Sequence, residues 1–237
     1  MNYKDIKVDK SSLRYERKFL LDDYLINTLE DLNSFLPINL FEQHKERRIN
    51  SVYYDTNDLK FSKQNIDGIN LRKKIRVRYY GPLQDIDSPK LELKLKYGLV
   101  GNKEIYNLNK NELCKNYFLI NNLVFPEIIN NKNQNLLVST KPKLIISYKR
   151  KYFLSICQRY RFTLDSNIIF KIFDFSDLDS NFRDNLFYSY HKKILEIKYS
   201  HNDELFANHL TRNLPTRLST VSKYLIALNS LGLASPF

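Results

Sequence analysis

The chain has 237 residues, of which 43% are hydrophobic, so it is long and apolar enough for a packed core and wholesale disorder is not expected. Its 38 Lys and Arg residues outnumber 26 Asp and Glu residues, and the resulting formal charge of +12 points to an acidic partner. Tyr (17) and Phe (15) are abundant while Gly (5) is scarce, a balance that favours strands over low-complexity linkers.

The cysteines and the apolar tracts predict the cellular location of the protein. Cys114 and Cys157 stand far apart with no CxxC pair, which favours neither a zinc ribbon nor a disulfide framework and makes the reducing cytoplasm the expected location. The longest uncharged apolar tract, residues 224–237, has 14 residues, whereas a spanning helix needs about 20. We therefore expect a cytoplasmic chain that reaches a membrane only through a partner.

The pattern of the N-terminal part predicts a strand, a helix and a second strand. Residues 13–21 alternate between charged and apolar side chains, as in a strand with one buried face. Residues 48–55 are rich in β-forming side chains and predict the second strand. Between them, Asp22 is placed to cap a helix that ends before Pro37 and has apolar positions at helical spacing, namely Leu25, Leu29, Leu32 and Leu36.

The clearest alternation lies in residues 71–80 and 91–97, which predict two strands. Two glycines, Gly98 and Gly101, predict a hairpin from the second of these into residues 103–108. In both strands one face is charged and the other is apolar. The charged faces carry Lys74, Arg76 and Arg78 in the first strand, and Glu92, Lys94 and Lys96 in the second.

The C-terminal half predicts further strands after an irregular segment. Residues 109–141 are Asn-rich and weakly periodic, and we interpret them as an insertion. A closing helix is predicted to begin near residues 219–222 and to end at Gly232. Between the insertion and this helix, strands are predicted over residues 144–154, 157–165, 168–175 and 189–199.

These elements predict an α+β fold class: a strongly curved or closed antiparallel sheet with helices at the start and end. If the sheet closes, it forms an antiparallel β-barrel tunnel with a polar, basic lumen, flanked by helices. A simpler interpretation is an ordinary sheet with one dry and one solvated face. Cations dominate the charged face, however, and like charges opposed across strands repel each other, so a polyanion or interleaved carboxylates must offset them. The cations are Lys18, Lys74, Arg76, Arg78, Lys94, Lys96, Arg159, Arg161 and Lys198, and the carboxylates are Glu16, Glu92, Asp165 and Glu196.

The motif inventory narrows the chemistry. The sequence has no GxxxxGK[ST], GxGxxG, HExxH or GxSxG motif, and its four histidines form no metal-binding pattern. Arginine forks and lysine charges bind phosphate oxygens, and carboxylates among them can hold a divalent cation between phosphates. A triphosphate or a phosphate chain is therefore the ligand class that the residues favour.

The order of eight short motifs resembles the VTC domain, the polyphosphate polymerase module within the triphosphate tunnel metalloenzyme superfamily. The resemblance covers nearly the whole chain, which we interpret as a single domain over residues 1–237 with an insertion at about 109–141. The motifs are RYERKF (14–19), SVYYDT (51–56), KIRVRY (74–79), LELK (91–94), YKR (148–150), RFTLD (161–165), EIKY (196–199) and SKY (222–224).

This resemblance implies a metal-dependent transferase that joins the γ-phosphate of ATP to a growing inorganic polyphosphate chain. The metal, Mn²⁺ or Mg²⁺, would be held by Glu196 with Glu16. The resemblance implies a catalytic set of Lys18, Arg76, Arg78, Arg150, Arg161 and Lys198. The predicted phosphate-binding set is Lys74, Lys94, Lys96, Lys103, Arg159, Ser222 and Lys223.

Some features keep other functions open. The related CYTH-type triphosphatases begin with ExExK, whereas Arg14 stands where the first Glu would be, which weakens a two-metal hydrolase. A tunnel triphosphatase and a non-catalytic polyphosphate sensor remain alternatives. No nucleic-acid partner is expected, because no RRM, KH or helix-turn-helix signature accompanies the positive charge. A membrane-protein partner that this chain does not encode is a further expectation, and the sequence leaves product export open.

Overall fold

A computed structural model describes residues 14–83, 85–97, 100–108, 136–174 and 187–233. Most of the predicted insertion at about 109–141 lies outside these residues. In the described ranges no helix is both long enough and apolar enough to cross a membrane.

Ten strands and four α-helices lie wholly within the described residues, and residues 136–138 are also helical. The strands are β1 (Arg14–Asp22), β2 (Leu40–Asp55), β3 (Leu71–Tyr80), β4 (Asp87–Tyr97), β5 (Val100–Asn107), β6 (Lys141–Ser155), β7 (Arg161–Ile172), β8 (Tyr188–Tyr190), β9 (Lys192–Ser200) and β10 (Leu218–Ser219). The helices are α1 (Leu29–Phe35), α2 (Lys60–Ile66), α3 (Glu204–Leu210) and α4 (Lys223–Ser230), and a 3-10 turn (His201–Asp203) precedes α3.

The strands form one antiparallel sheet, and the α+β fold class is confirmed. Their hydrogen-bonded order is β10-β1-β9-β7-β6-β2-β3-β4-β5, with β8 paired to β7. Within the described residues this order has two ends, β10 and β5, so the ladder is not closed into the expected barrel. The chain divides into two compact units, and the long strands β2, β6 and β7 contribute residues to both.

Unit 1 contains the described parts of Met1–Glu46, Lys149–Asn167 and His191–Val221. Its core packs the apolar face of β1, β7 and β9 against the helices, and Leu21, Phe162 and Leu195 are fully buried there. Burying such side chains supplies most of the favourable free energy of folding. The charged residues of the same strands consequently share the opposite face.

Unit 2 contains Arg47–Tyr148, Ile168–Tyr190 and the described residues from Ser222 onward. The apolar face of β3 is buried as the alternation predicts, because Ile75 and Val77 are about 1–2% exposed and pack against Leu91 and Leu93 of β4. This pairing fixes the register of β3 and β4. The cations of both strands therefore lie on the other face.

Several predicted boundaries were wrong. Asp22 ends β1, and α1 is capped by Thr28, whose hydroxyl accepts from the Asp31 backbone N–H while the Asp31 carboxylate accepts from the Thr28 backbone N–H. The predicted strand at 157–165 begins only at Arg161, since a turn follows β6, and it continues without a break to Ile172.

Three further elements differ from the expectation. Strand β2 begins at Leu40 rather than at residue 48, and helices α2 and α3 were not predicted. The predicted strand over 189–199 is split at His191 into β8 and β9. The end of α4 is confirmed, because Gly232 follows it with φ +68° and the Leu233 N–H donates to the Leu228 carbonyl.

Candidate functional site

The charged face of unit 2 is assembled by strand register. Tyr53 of β2 pairs with Arg76 of β3, and Arg76 pairs with Glu92 of β4. Because residues opposite each other in a ladder share a face, these three side chains lie in one row across three strands. One step along β3, Arg78 lies beside Ser51 in the same arrangement.

Glu92 is the centre of this face. Its Oε2 accepts from Arg76 Nε at 2.7 Å and lies 2.6 Å from Arg76 Nη2. Its Oε1 lies 3.0 Å from Lys103 Nζ and 3.5 Å from Arg78 Nη1. One buried carboxylate thus gathers three cations, and we call Glu92, Arg76, Arg78 and Lys103 the Glu92 cluster.

The Glu92 cluster controls the ionisation of its carboxylate. Burial favours the neutral acid, but the charges of Arg76, Arg78 and Lys103 outweigh it and lower the pKa of Glu92 to about 2. Burial and the neighbouring arginines lower the pKa of Lys103 in turn, although Glu92 opposes them. With three cations against one carboxylate, the cluster is positively charged at neutral pH and suited to an anion.

The start of α4 adds two more cations to unit 2. Lys74 Nζ donates to Ser222 Oγ at 3.2 Å, so this β3 lysine reaches the N-cap of α4. The Lys223 ammonium lies 4.6 Å from the centre of the Tyr148 ring, a cation-π contact. A helix N-terminus with two adjacent lysines favours a phosphate group.

Asp55 holds α4 in this position. This fully buried carboxylate accepts from the Tyr224 hydroxyl at 3.0 Å and from the backbone N–H groups of Phe61 (2.9 Å) and Ser62 (3.0 Å). It therefore ties the starts of α2 and α4 to the end of β2. The role is structural, because the carboxylate is completely enclosed by its donors.

Unit 1 gathers its charges around a different carboxylate. Lys198 Nζ lies 2.7 Å from Glu196 Oε1, and Lys18 Nζ lies 3.9 Å from Glu196 Oε2. The same Lys18 ammonium is 2.6 Å from Glu16 Oε1, so two carboxylates share one lysine. Glu196, Glu16, Lys18 and Lys198 form the Glu196 cluster, which has two cations and two carboxylates.

The Glu196 carboxylate stays ionised despite its burial. Desolvation raises its pKa, but Lys198, Lys18 and Arg150 outweigh that effect and hold the pKa well below its usual value. The pKa of Glu16 is also lowered, because burial and the nearby Glu196 charge are outweighed chiefly by Lys18. Both carboxylates are therefore available as anionic ligands at neutral pH.

Arg150 is paired with a carboxylate of its own, although its charge also acts on Glu196. Its Nε and Nη2 donate to the two oxygens of Asp165 at 2.5 Å and 2.7 Å, a two-bond fork, and Asp165 is completely buried. Arg161 and Thr163 precede Asp165 on the same face of β7 and pair with Lys198 and Glu196 of β9. Arg161 is exposed, so its guanidinium is open to a ligand.

A divalent cation fits the donors of the Glu196 cluster only in the company of phosphate. The described residues include no group of three His, Cys, Asp or Glu side chains that would hold a metal by themselves. Mg²⁺ is commonly bound through one or two carboxylates together with substrate phosphates and water. Glu196 and Glu16, brought together through Lys18, supply that number of carboxylates.

The structure collects most of the predicted site residues but not all of them. Lys18, Glu16 and Glu196 come together with Lys198, and Arg76 and Arg78 come together with Lys103. Lys94 and Lys96 lie on the charged face of β4, and Lys94 is exposed. Arg159 lies in the turn before β7, where its Nη1 donates to Asp203 at 3.0 Å, so neither cluster includes it.

Sequence reasoning missed several residues of these sites. Glu92 and Asp165 were recognised as interleaved carboxylates without a specific role, yet each fixes the arginines around it. Tyr53 was counted only among the β-forming residues of 48–55, and Tyr148 and Tyr224 appeared only within the family motifs, with no role of their own. The spacing of two residues between Tyr53 and Asp55 was the available signal, because it places both on one face of β2.

Comparison with known proteins gives one family and one fold. The family model described as the VTC domain matches residues 13–232, and no curated protein matches the sequence. A Hippeastrum adenylyl cyclase candidate, whose structure is reported to reveal a dominant triphosphatase activity, has 14% identity and a TM-score of 0.52, over 93% of this chain and 97% of that one. This likeness shows the triphosphate tunnel fold.

Two other solved structures share the same low identity. A Pyrococcus horikoshii protein has 14% identity and a TM-score of 0.49, over 92% of this chain and 98% of that one. An adenylate cyclase candidate from Bacillus halodurans has 14% identity and a TM-score of 0.48, over 95% of both chains.

Proposed function

This chain belongs to the VTC domain family, and we propose that it is a polyphosphate polymerase that transfers the γ-phosphate of ATP to a growing inorganic polyphosphate chain. The Glu92 cluster is the observation that carries the proposal. It supplies two arginines and a lysine around one buried carboxylate, which leaves an excess of positive charge on a single sheet face. A chain of phosphates is a ligand whose closely spaced charges match that face.

The proposed reaction needs little help with proton transfer. A terminal oxygen of the polyphosphate chain attacks the γ-phosphorus of ATP, the bond to the β,γ-bridging oxygen breaks, and ADP leaves with that electron pair. The attacking oxygen is already anionic, so no general base has to remove a proton. Positioning and charge neutralisation therefore supply most of the rate, which is what fixed arginines and lysines provide.

Unit 2 is proposed to hold phosphate groups. Arg76 and Arg78 would donate their remaining N–H groups to phosphate oxygens, and Lys103 would neutralise charge beside them. Lys74, Ser222 and Lys223 at the start of α4 would bind a terminal phosphate. Lys94 and Lys96 would extend the basic face along β4.

Unit 1 is proposed to hold the divalent cation and further phosphates. Tunnel metalloenzymes generally use a divalent metal ion. Glu196 and Glu16 would hold Mn²⁺ or Mg²⁺, which would neutralise charge on the phosphate oxygens. Lys18 and Lys198 would contact the same phosphates, and Arg150 and Arg161 would bind along β6 and β7.

A tunnel triphosphatase is the second candidate, because the Hippeastrum protein of the same fold is reported to have a dominant triphosphatase activity. The two reactions differ only in the acceptor, which is water in one and a phosphate chain in the other. The chain is proposed to act in the cytoplasm, where ATP is available and where the exposed thiol of Cys157 would remain reduced.

The test follows the γ-phosphate. Purified protein is incubated with γ-labelled ATP and Mn²⁺, and the products are separated by gel electrophoresis. Label in long chains supports the polymerase, and label in orthophosphate without chain growth selects the triphosphatase. Tight binding of polyphosphate with no release of ADP would show a sensor and would overturn the enzymatic proposal.

A further inference from the structure

Tyr53 is a buried tyrosine on the basic face of unit 2, and it does not belong to the apolar cluster on the opposite face of the sheet. It pairs with Arg76 across the β2–β3 ladder, while its neighbour Tyr54 points into the apolar core of unit 2. The Tyr53 hydroxyl accepts a hydrogen bond from Arg76 Nη1 at 3.1 Å. Its own proton has no acceptor among the described residues.

The Tyr53 ring is fixed from two sides. It stacks on the Tyr224 ring with a centroid distance of 5.1 Å and an interplanar angle of 15°. Tyr224 in turn is anchored through its hydroxyl to Asp55. The Arg76 guanidinium carbon lies 5.9 Å from the Tyr53 ring centre. Tyr53 therefore offers Arg76 an acceptor whose position is set by the fold.

We propose that Tyr53 is a positioning residue for phosphate binding, which holds the Arg76 guanidinium against Glu92 so that its remaining donors are presented to the ligand. Glu92 takes the Nε and Nη2 donors, and Tyr53 takes one on Nη1. Of the five N–H groups of an arginine, one on each terminal nitrogen then remains for phosphate. This inference rests on the proposed function, because it assumes that the ligand is a phosphate chain.

The charges around Tyr53 agree with this geometry, and they make the pKa of Tyr53 a second quantity that can be measured. Burial favours the neutral phenol, but the charges of Arg76 and Lys223, together with Arg78, outweigh it and lower the pKa of Tyr53. Arg76 and Arg78 face the phenol from β3, and Lys223 and Tyr224 face it from α4. In contrast, the pKa values of four other tyrosines are raised, chiefly by burial: Tyr54, Tyr160, Tyr199 and Tyr224. A bound polyanion near Tyr53 would disfavour its deprotonation and raise its pKa.

The test is a double-mutant cycle read by calorimetric titration with inorganic tripolyphosphate. Tyr53→Phe keeps the stacked ring and removes only the hydroxyl, and we expect it to weaken binding about tenfold. In an Arg76→Lys background, where no fork remains to be oriented, the same change should have little further effect. Tyr54→Phe removes the same atom from the opposite face and should leave the affinity unchanged.

The outcomes separate this inference from the function on which it rests. Failure of the unmodified protein to bind tripolyphosphate would refute the proposed ligand class itself. Normal binding by Tyr53→Phe, or an equal loss in both backgrounds, would overturn the positioning role alone.

A measurement on the unmodified protein covers the case in which Tyr53→Phe does not fold. Tyrosinate absorbance is followed as the pH rises, with and without tripolyphosphate. We expect one tyrosine to titrate below the usual range and to move to higher pH when the ligand is bound. Absence of such a tyrosine, or a titration that ignores the ligand, would overturn the proposal.

Discussion

The Glu92 and Glu196 clusters both contain a buried carboxylate surrounded by cations, but they differ in net charge. In each, a buried carboxylate contacts cations of the charged sheet face; those of Glu92 come from the neighbouring strands β3 and β5, whereas Glu196 contacts Lys18 of β1 and Lys198 of its own strand β9. The Glu92 cluster sets two arginines and a lysine against one carboxylate, whereas the Glu196 cluster sets two lysines against two carboxylates. The first has an excess of positive charge, whereas the second is balanced, with two carboxylates linked through one lysine.

The two units also differ in the partners of their arginines. Arg150 in unit 1 has two of its donors committed to the buried Asp165. Arg76 in unit 2 is instead held between Glu92 and the phenol of Tyr53. In the two clusters a carboxylate interleaved among the cations of a sheet therefore has different surroundings: Glu92 contacts the guanidinium of Arg76, whereas Glu196 contacts the ammonium groups of lysines.

The largest expected effect comes from Arg76→Ala. The change removes the fork and leaves the buried Glu92 with weaker partners, so we expect polyphosphate synthesis to fall about 10³-fold. The measurement is the initial rate of chain growth from ATP. Arg212→Ala, which removes the same charge from an exposed site after α3, is the control and should keep the normal rate. Comparable rates in the two variants would contradict the role of the Glu92 cluster.

Glu196→Gln tests the proposed divalent-cation site of the Glu196 cluster. The variant keeps the shape of the side chain but loses the anionic oxygens, so we expect the rate to fall about 10²-fold and its dependence on manganese concentration to weaken. Tripolyphosphate binding without metal should persist, because the Glu92 cluster is untouched. A normal manganese dependence in this variant would place the metal elsewhere.

Glu92→Gln should behave differently from Glu196→Gln. Three cations would lose their common partner, and we expect the free energy of unfolding to fall by about 3 kcal/mol. Tripolyphosphate should restore much of this loss, since phosphate oxygens can replace the carboxylate and binding to the folded state stabilises it. Denaturant unfolding with and without the ligand measures both effects. Destabilisation that tripolyphosphate leaves untouched would argue against phosphate binding at this face.

The free energy of unfolding at acid pH depends on the same carboxylate, that of Glu92. The pKa of Glu92 is about 2 in the folded chain, against 4.5 for the free side chain. Its contribution to stability is therefore complete above about pH 4.5 and is lost as the pH falls toward 2. Unfolding free energies measured across this range should fall less steeply for Glu92→Gln than for the unmodified protein. Parallel curves would show that Glu92 does not carry this linkage.

Lys103→Met should give the smallest effect. Its side chain is 42% exposed, so its ion pair with Glu92 is screened by water. We expect tripolyphosphate affinity to fall no more than about fivefold, with no change in the unfolding free energy beyond about 1 kcal/mol. Calorimetry and denaturant unfolding check the two values. A loss as large as that of Arg76→Ala would mean that the lysine, not the arginine fork, dominates phosphate binding.

The fold was predictable where one face of a strand is buried. In β3 and β4 the apolar and charged residues alternate, and the burial of Ile75 and Leu93 follows directly from that alternation. The first half of β2 gave no such signal, because residues 41–48 are mostly exposed on both sides. Helix α1 was displaced in the prediction because Asp22 and Thr28 are both good caps, and only the pairing of Asp22 in β1 decides between them.

The cations of the candidate site could be predicted from the sequence, but the residues that they contact could not. The alternation in β3 identified Arg76 and Arg78, but their shared contact with Glu92 depends on which residues stand opposite each other, and register cannot be read from a single strand. Tyr53 was missed for the same reason. Arg159 was assigned to a strand because the alternation in residues 157–165 runs through the turn before β7.

A crystal structure of the protein with tripolyphosphate is the most direct test of the claim that the basic face of unit 2 binds phosphate. We predict phosphate oxygens within hydrogen-bond distance of the Arg76 and Arg78 guanidinium groups, with Arg76 still in contact with Tyr53. Tripolyphosphate bound away from this face, with both arginines contacting only Glu92, would contradict it.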